Sequence, residues 1–560
     1  MNRYFKHVTA MALVAASVTT ACAQLKTTDT LYNNFIDPPQ SAKPRVWWHW
    51  MNGNVTKDGI YKDLNWMKRA GIAGFQHFDA AMTTPQRVKE RLVFMTPAWK
   101  DAFQYTTRLA DSLKLEMAIA GSPGWSQSGG PWVPPKDGMK KIGWSETSVQ
   151  GGKTINIVLP KPPGITGPFQ NIPYVRIEGL ENPTNQPTPQ YAQDVAVIAY
   201  KLADTDIPMH VLKPILTSSG GNITLAQLTD GDVANTTLLP ADTKGQAWLQ
   251  FAFKNPCTIK AMTIACRGNN DRVFEKSDDG VNFRFVCKVP GSGTQQTINI
   301  PAATAKYFRF TFNNSPGGIP VAEIVLHTAA RVNKFEEKAA FSLNTRVYEK
   351  SSPETSDAIY TTDVIDITNK VTADGNLTWA APAGNWNIIR FGYSLLGKTN
   401  HPATSEGTGL EVDKLDSAAI SSYFRNYLDK YKSATGGLMG NKGGLQFLIT
   451  DSWEAGPQNW TANMMQQFQK RRGYSMTPWM PVITGRIVKS AEASENFLWD
   501  VRTTLAEMLV EYHYDQLSAI LKEYGLKRYS ESHEFMRALL ADGMDVKRKA
   551  DIPMSALWIP

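Results

Sequence analysis

Cysteine is scarce, 4 in 560 residues, and no two are spaced as C-x-x-C, which excludes a disulfide-dense scaffold and argues against a cysteine zinc site. Cys22 falls in the leader described below. Cys257, Cys266 and Cys287 remain, enough for one pair at most. Runs of five or six like charges are missing too. Lys and Arg (59) are scattered among Asp and Glu (51), and the formal charge of +8 falls by two without Arg3 and Lys6 of the leader, so the balance is too thin for a nucleic-acid partner. After the leader no apolar run reaches the ~18 residues of a membrane span. With 42% hydrophobic and 20% charged residues, the chain reads as a soluble, folded protein of several domains.

Met1 to Ala23 has a short basic start, an apolar stretch from Val8 to Ala21, and Ala21-Cys22-Ala23 before Gln24, the pattern of a secretory signal. Export to the periplasm or outer membrane of a Gram-negative bacterium is therefore expected. Cys22 also suits a lipid anchor.

Two kinds of periodicity divide the rest. From Arg45 onward, apolar strand-like runs alternate with amphipathic helices: Arg45 to Trp50, a helix capped by Thr56 with Ile60, Leu64 and Met67 on one face, Ile72 to Phe78, a helix opened by Thr96-Pro97, and Met117 to Gly121. Between about Ile142 and Arg390 the period falls to two, as in Trp248 to Phe253 and Tyr307 to Phe312, with Gly, Pro, Asn and Asp between the runs. Helix and strand signals then return: Leu445 to Thr450, a helix from Trp460 to Arg472, a long helix over Asn496 to Tyr524, and strands at Arg528 to Glu531 and Pro553 to Trp558. The expected fold is α/β, a (β/α)8 TIM-like barrel interrupted by an inserted β-sandwich. Its expected parts are a leader (1–23), a first barrel part (24–141), an all-β insert (142–390) with a galactose-binding-like jelly roll at about 200–330, and a second barrel part (391–560). Six or seven barrel strands can be counted, so the barrel is expected to be incomplete.

One familiar motif is a decoy. Gly392-Tyr-Ser-Leu-Leu-Gly397-Lys398-Thr399 matches a phosphate-binding loop, but Asn400-His401-Pro402 and then Gly407 and Gly409 follow, where that loop needs a helix. Metalloprotease and nucleophile-elbow patterns are incomplete. The strongest signal is Leu448-Ile-Thr-Asp451-Ser-Trp453-Glu454, continuing to Asn459-Trp460-Thr461: a buried strand running straight into carboxylates, the edge at which parallel barrels place their chemistry. Glu454 is the candidate acid, with Trp453 and Trp460 expected to desolvate it. Glu531 and Glu534 follow the next strand, beside His533. Two carboxylates on different strands suit glycoside hydrolysis, one protonating the leaving oxygen and the other activating water or attacking the anomeric carbon. Trp48, His49, Asn52, Gln76, His77, Asp79 and Trp125 end the first three strands. With Asp451, Trp453, Asn459 and His533, they are the candidate sugar-binding residues.

Taken together, Arg45-Val-Trp-Trp-His-Trp-Met-Asn-Gly53, Gly74-Phe-Gln-His-Phe-Asp79, Gly392-Tyr-Ser with Gly409-Leu-Glu-Val-Asp-Lys414, and Asp451 to Thr461 resemble glycoside hydrolase family 106, the α-L-rhamnosidases, over residues 35 to 560. The resemblance implies an exported enzyme that releases α-linked L-rhamnose from rhamnogalacturonan-type plant polysaccharides by inversion, with Glu454 as acid. It also implies a calcium ion that helps to hold the sugar. Asp79, Glu411 and Asp451 are suspects for its ligands, and no metal set is assigned. The base is Glu531, Glu534 or a residue past Pro560, since family members are longer. A different exo-glycosidase and a non-catalytic carbohydrate-binding protein are the competing readings. An unclosed barrel exposes strand edges and apolar surface, so the chain as given is expected to be poorly stable; a sharp, reversible melting transition with monomeric elution contradicts that expectation.

Overall fold

The computed structural model describes residues 29–181, 187–268, 271–291, 295–342, 357–533 and 540–557. The expected leader, its Cys22 and Glu534 lie outside them. Six strands form an all-parallel sheet in sequence order: β1 (Arg45–Met51), β2 (Gly74–Ala80), β3 (Glu116–Ala120), β4 (Leu445–Thr450), β5 (Lys527–Ser530) and β6 (Ile552–Pro553). Among the described residues this sheet is open and not a closed barrel, because β1 and the two-residue β6 are its edges.

Six helices matter to the sheet: α1 (Lys57–Arg69), α2 (Pro97–Leu113), α3 (Ser417–Ala434), α4 (Met464–Arg472), α5 (Ala491–Leu509) and α6 (Gln516–Glu523). Local signals account for their ends. The Thr56 side chain accepts from Gly59 N and that of Thr96 from Trp99 N, while Gly473 closes α4 in the left-handed conformation. The single long helix expected over 496–524 is instead α5, a π-helical turn at Val510–Asp515, and α6.

Because successive strand residues face opposite sides, the sheet has two different faces. One carries Trp50, Phe75, Met117, Ile119 and Leu448 against apolar stripes of α1, α2, α3 and α6. The other carries a smaller cluster of Phe78, Ala118, Ala120, Phe447, Ile449 and Tyr529.

Between β3 and β4 the chain builds antiparallel sheets. In a seven-stranded one, the long strands Ala247–Cys266 and Gln296–Asn313 alternate as the sequence predicts, burying Leu249, Phe251, Phe253, Phe308, Phe310 and Phe312 in one core. A four-stranded sheet contains Lys140–Gln150 and Asn385–Leu395, the segments by which the chain leaves and re-enters the parallel sheet, and these pair with each other from Leu395↔Lys140 to Asn385↔Gln150. The insertion is therefore closed at its own base. The decoy loop is the end of the returning strand, and no helix follows it before Ser417.

At that base lies a buried ion pair, Lys140 Nζ to Asp413 Oδ2 at 2.8 Å, with side chains 2% and 0% exposed. Gln458, the Thr461 hydroxyl and the Leu415 N–H also donate to the Asp413 carboxylate. Breaking such a pair strands a charge, whereas replacing both partners does not. Asp413→Ala is expected to cost about 3–5 kcal/mol in urea unfolding, and Lys140→Met with Asp413→Leu to recover most of it. Equal losses in the single and double variants would show that the pair itself is not what matters.

Candidate active site

Parallel pairing of β4 and β5, with Thr450 opposite Ser530, sets the next residues of both strands side by side. Contacts continue past the strands, Glu531 N donating to Thr450 O (2.9 Å) and Trp453 N to Ser532 O (3.3 Å). This brings Asp451, Glu454 and Glu531 together. Asp451 is buried, and burial together with the neighbouring, hydrogen-bonded Glu531 raises its proton affinity well above the carboxylate range, opposed by the Ser452 N–H. Two carboxyls so placed share a proton, because both cannot ionise at contact. Glu454 is the more open of the three, its side chain 24% exposed, with Oε1 accepting from the Ser452 hydroxyl (3.3 Å) and Oε2 3.7 Å from His401 Nε2.

The loop after β3 wraps this cluster from the other side. Gln127 Nε2 donates to the Asp451 carbonyl (2.5 Å), and its own carbonyl accepts from Tyr514 (2.8 Å) and faces His513 Nε2 (3.0 Å), two consecutive residues of the π turn. Trp125 N and Ser126 N both donate to the His401 carbonyl, at 2.9 and 3.3 Å. Beside this lies an aromatic wall: Trp125 Nε1 donates to His49 Nε2 (3.0 Å), His49 stacks on Phe78 at 5.1 Å, and Trp47, 46% exposed, leans on Phe78. The Trp125 bond fixes the hydrogen of neutral His49 on Nδ1, leaving a donor for a hydroxyl. Trp453 stacks on His533 at 5.1 Å, and burial lowers the His533 imidazole to about 4.

Several expected sugar-binding residues sit elsewhere. Trp48, His77 and Asp79 lie on the helix-facing side of the sheet: Trp48 Nε1 donates to Asp63 of α1, His77 is enclosed by Trp50, Trp99 and Phe103, and Asp79 accepts from Trp99 Nε1 (2.8 Å). Gln76, on the opposite face, reaches Met554. Asn52 ties its loop to the Thr84 carbonyl, and buried Asn459 joins Ile142 N to the Ala339 carbonyl, clamping the insertion. Strict alternation along β2 is the signal that separates Gln76 and Phe78 from His77 and Asp79. His401, Ser126, Gln127, Glu181 and His513 were not among the candidates; they come from loops and a helix far apart in sequence, and no local motif marks them.

The three calcium suspects do not form one donor set. Asp79 is bonded to Trp99, Glu411 is neutralised by Lys414 at 2.5 Å, and Asp451 faces Glu531. Among the described residues no three Asp, Glu, His or Cys side chains gather as metal ligands.

Asp79 does yield a test. Burial, opposed by the Trp99 N–H, pushes its carboxyl up to about 7 from the ordinary 3.8. The folded chain therefore holds a proton between about pH 4 and pH 7 that the unfolded chain has lost, and stability falls as pH rises through that window. Asp79→Asn is expected to flatten this slope, gaining more than about 1 kcal/mol at pH 8 relative to pH 5 in denaturant titrations. An identical shift at both pH values would refute it.

A rhamnosidase structure from Novosphingobium sp. PP1Y superposes with a TM-score of 0.84 at 42% identity, over 95% of this chain and 50% of that one. A curated protein of Formosa agariphila named "Putative beta-glucuronidase" is 26% identical over all 560 residues, which are 35% of its own length. The chain thus spans between a third and a half of the length of these relatives. The family model for the α-L-rhamnosidases of glycoside hydrolase family 106 matches residues 36–560, and the chain belongs to that family.

Proposed function

We propose that this chain carries the acid-bearing part of an inverting α-L-rhamnosidase acting on rhamnogalacturonan-type polysaccharides. The observation that supports it is the meeting of Asp451, Glu454 and Glu531 at the ends of two neighbouring parallel strands, in a member of this family. Glu454 is the acid: its carboxyl is the most exposed of the three, whereas Asp451 and Glu531 are buried against each other. As Glu454 gives its proton to the glycosidic oxygen, the bond to the anomeric carbon breaks with its electron pair leaving on that oxygen. Water adds from the opposite face and loses its proton to the base. The Asp451–Glu531 pair, holding one proton between two carboxyls, keeps one negative charge for that task, with Glu531 as the base in the described part and Glu534 the alternative. His49 and Trp125 bind the sugar.

In this reading the six parallel strands belong to a (β/α)8 barrel, in which β1 and β6, unpaired on their outer sides among the described residues, have further neighbours. The seven-stranded sheet is the galactose-binding-like sandwich at about 200–330, and residues 1–23 direct export. Calcium, which the family implies, would need a donor set other than Asp79, Glu411 and Asp451 together.

Proton NMR of the protein with an α-L-rhamnosyl oligosaccharide tests the proposal, read in the first minutes before the released sugar equilibrates. Release of the inverted anomer is expected, with Glu454→Gln lowering kcat about 10²- to 10⁴-fold on alcohol leaving groups while rhamnose still binds. Full activity of that variant removes Glu454 from the acid role, and faster turnover of another aryl glycoside in a panel replaces rhamnose as the substrate.

A further inference from the structure

We propose that the cleft between the seven-stranded and four-stranded sheets of the insertion is a second sugar site, built for an uncharged, hydroxyl-bearing saccharide unit and separate from the carboxylate cluster. The inference does not depend on which carboxyl is the acid.

The cleft encloses about 650 Å³, within the range of small-ligand sites. Three parts of the chain wall it: the four-stranded sheet through Glu146 and Tyr200, the seven-stranded sheet through Glu323 and His327, and the segment before α5 through Arg486. Asp451, Glu454 and Glu531 are not among its walls.

Hydrogen-bond direction can be followed along the wall. The Glu336 carboxyl accepts from Thr297 N (3.1 Å), Gln295 Nε2 (3.0 Å) and the Thr297 hydroxyl (2.7 Å). Thr297 has then spent its hydroxyl hydrogen, so the Thr263 hydroxyl, 2.9 Å away, donates to it, and the Thr263 oxygen takes its own bond from His327 Nε2 (2.8 Å). Nε2 therefore carries the imidazole hydrogen, and Nδ1 is left a bare acceptor. Burial, with the nearby Arg331 and Arg486 adding to it, keeps this ring neutral. From the other sheet, the Tyr200 hydroxyl accepts from Asn387 Nδ2 (3.0 Å), which also donates to Glu146 (2.8 Å). An N–H only donates, so Tyr200 keeps its own hydrogen for a further acceptor. An acceptor on one wall and a donor on the other suit a sugar hydroxyl, which is both.

Charge decides against an acidic ligand. Both guanidinium forks are already filled: Arg486 by Glu146 (2.7 and 2.6 Å) and Thr484, Arg331 by Asp206 (3.0 Å) and the Ala329 and Ala330 carbonyls. Asp230, Asp232 and Glu323 add acidic groups to the wall. Burial, opposed by the Gly231 N–H, raises Glu323 to about 8, so it stands protonated at neutral pH, and exposed Lys161 at the rim offsets only one of the other two. A carboxylate would meet an acidic wall and no free fork. Trp144, Pro160, Pro163 and Pro208 supply apolar surface for the C–H face of a pyranose ring.

The test is calorimetric titration of the full chain with two neutral disaccharides, galactobiose and cellobiose, and with digalacturonate. One-to-one binding of at least one neutral disaccharide is expected, with digalacturonate weaker. Tyr200→Phe and His327→Gln are each expected to weaken it about three- to tenfold, the loss of one hydrogen bond, while the unfolding midpoint and the turnover of an aryl rhamnoside stay as they were. Binding is expected to survive Trp125→Ala, which alters the wall of the carboxylate site. No binding of either neutral disaccharide at millimolar concentration would overturn the proposal, as would tighter binding of digalacturonate. Binding that Trp125→Ala abolishes and the two cleft variants leave intact would place the sugar at the carboxylate cluster and overturn it too. Because the readout is binding, an inactive chain would sink the rhamnosidase reading without touching this one.

Discussion

The pairing of Glu116–Ala120 with Leu445–Thr450 is the contact on which the rest of the site depends. Residues more than three hundred positions apart become neighbours there, Ala118 beside Phe447 and Ile119 beside Leu448. Only then does the loop after Ala120 reach the Asp451 carbonyl through Gln127, and only then does Trp125 meet His401. Loop closure over such a distance is entropically costly for an unstructured segment. The intervening chain avoids much of that cost by folding on itself, its first and last strands paired along eleven residues each, so that entry and exit points are already adjacent.

Charge is concentrated where these parts join. Lys140 with Asp413, Lys414 with Glu411, and Lys398 with Glu181 are three buried pairs in the segments that carry the chain back toward β4. Pairs of this kind add little net stability but penalise every arrangement that separates them. Lys141, next to the first pair, has carbonyls and a hydroxyl around its Nζ, and burial lowers its ammonium to about 7. These groups define a joint with one acceptable geometry, which is what a carboxylate cluster assembled from separate loops requires.

The sequence made local structure and the carboxylate-bearing strand ends legible. Thr56, Thr96-Pro97 and Gly473 mark helix ends because capping is a local interaction, and Asp451, Glu454 and Glu531 stand out because buried strands rarely end in acids without cause. The helix-facing position of His77 and Asp79 was also legible, through the alternation of β2, but polar residues at a strand end read as site residues unless each is assigned a face. His401, Gln127 and Glu181 were not legible. Their roles arise from hydrogen bonds between segments brought together by the fold, and nothing in Asn400-His401-Pro402 distinguishes that stretch from an ordinary loop.

The π turn at Val510–Asp515 has a consequence for how this family is to be compared. Wider winding accommodates one residue more than the α-helix it replaces, and it is what lets two successive side chains, His513 and Tyr514, converge on one amide of Gln127. A homologue that is one residue shorter here would align without strain on either side, yet would present only one of those side chains to the loop. A single gap in the middle of a helix, usually dismissed as an alignment error, would then separate relatives whose β3 loop is anchored from helix side chains at two points from those in which it is anchored at one.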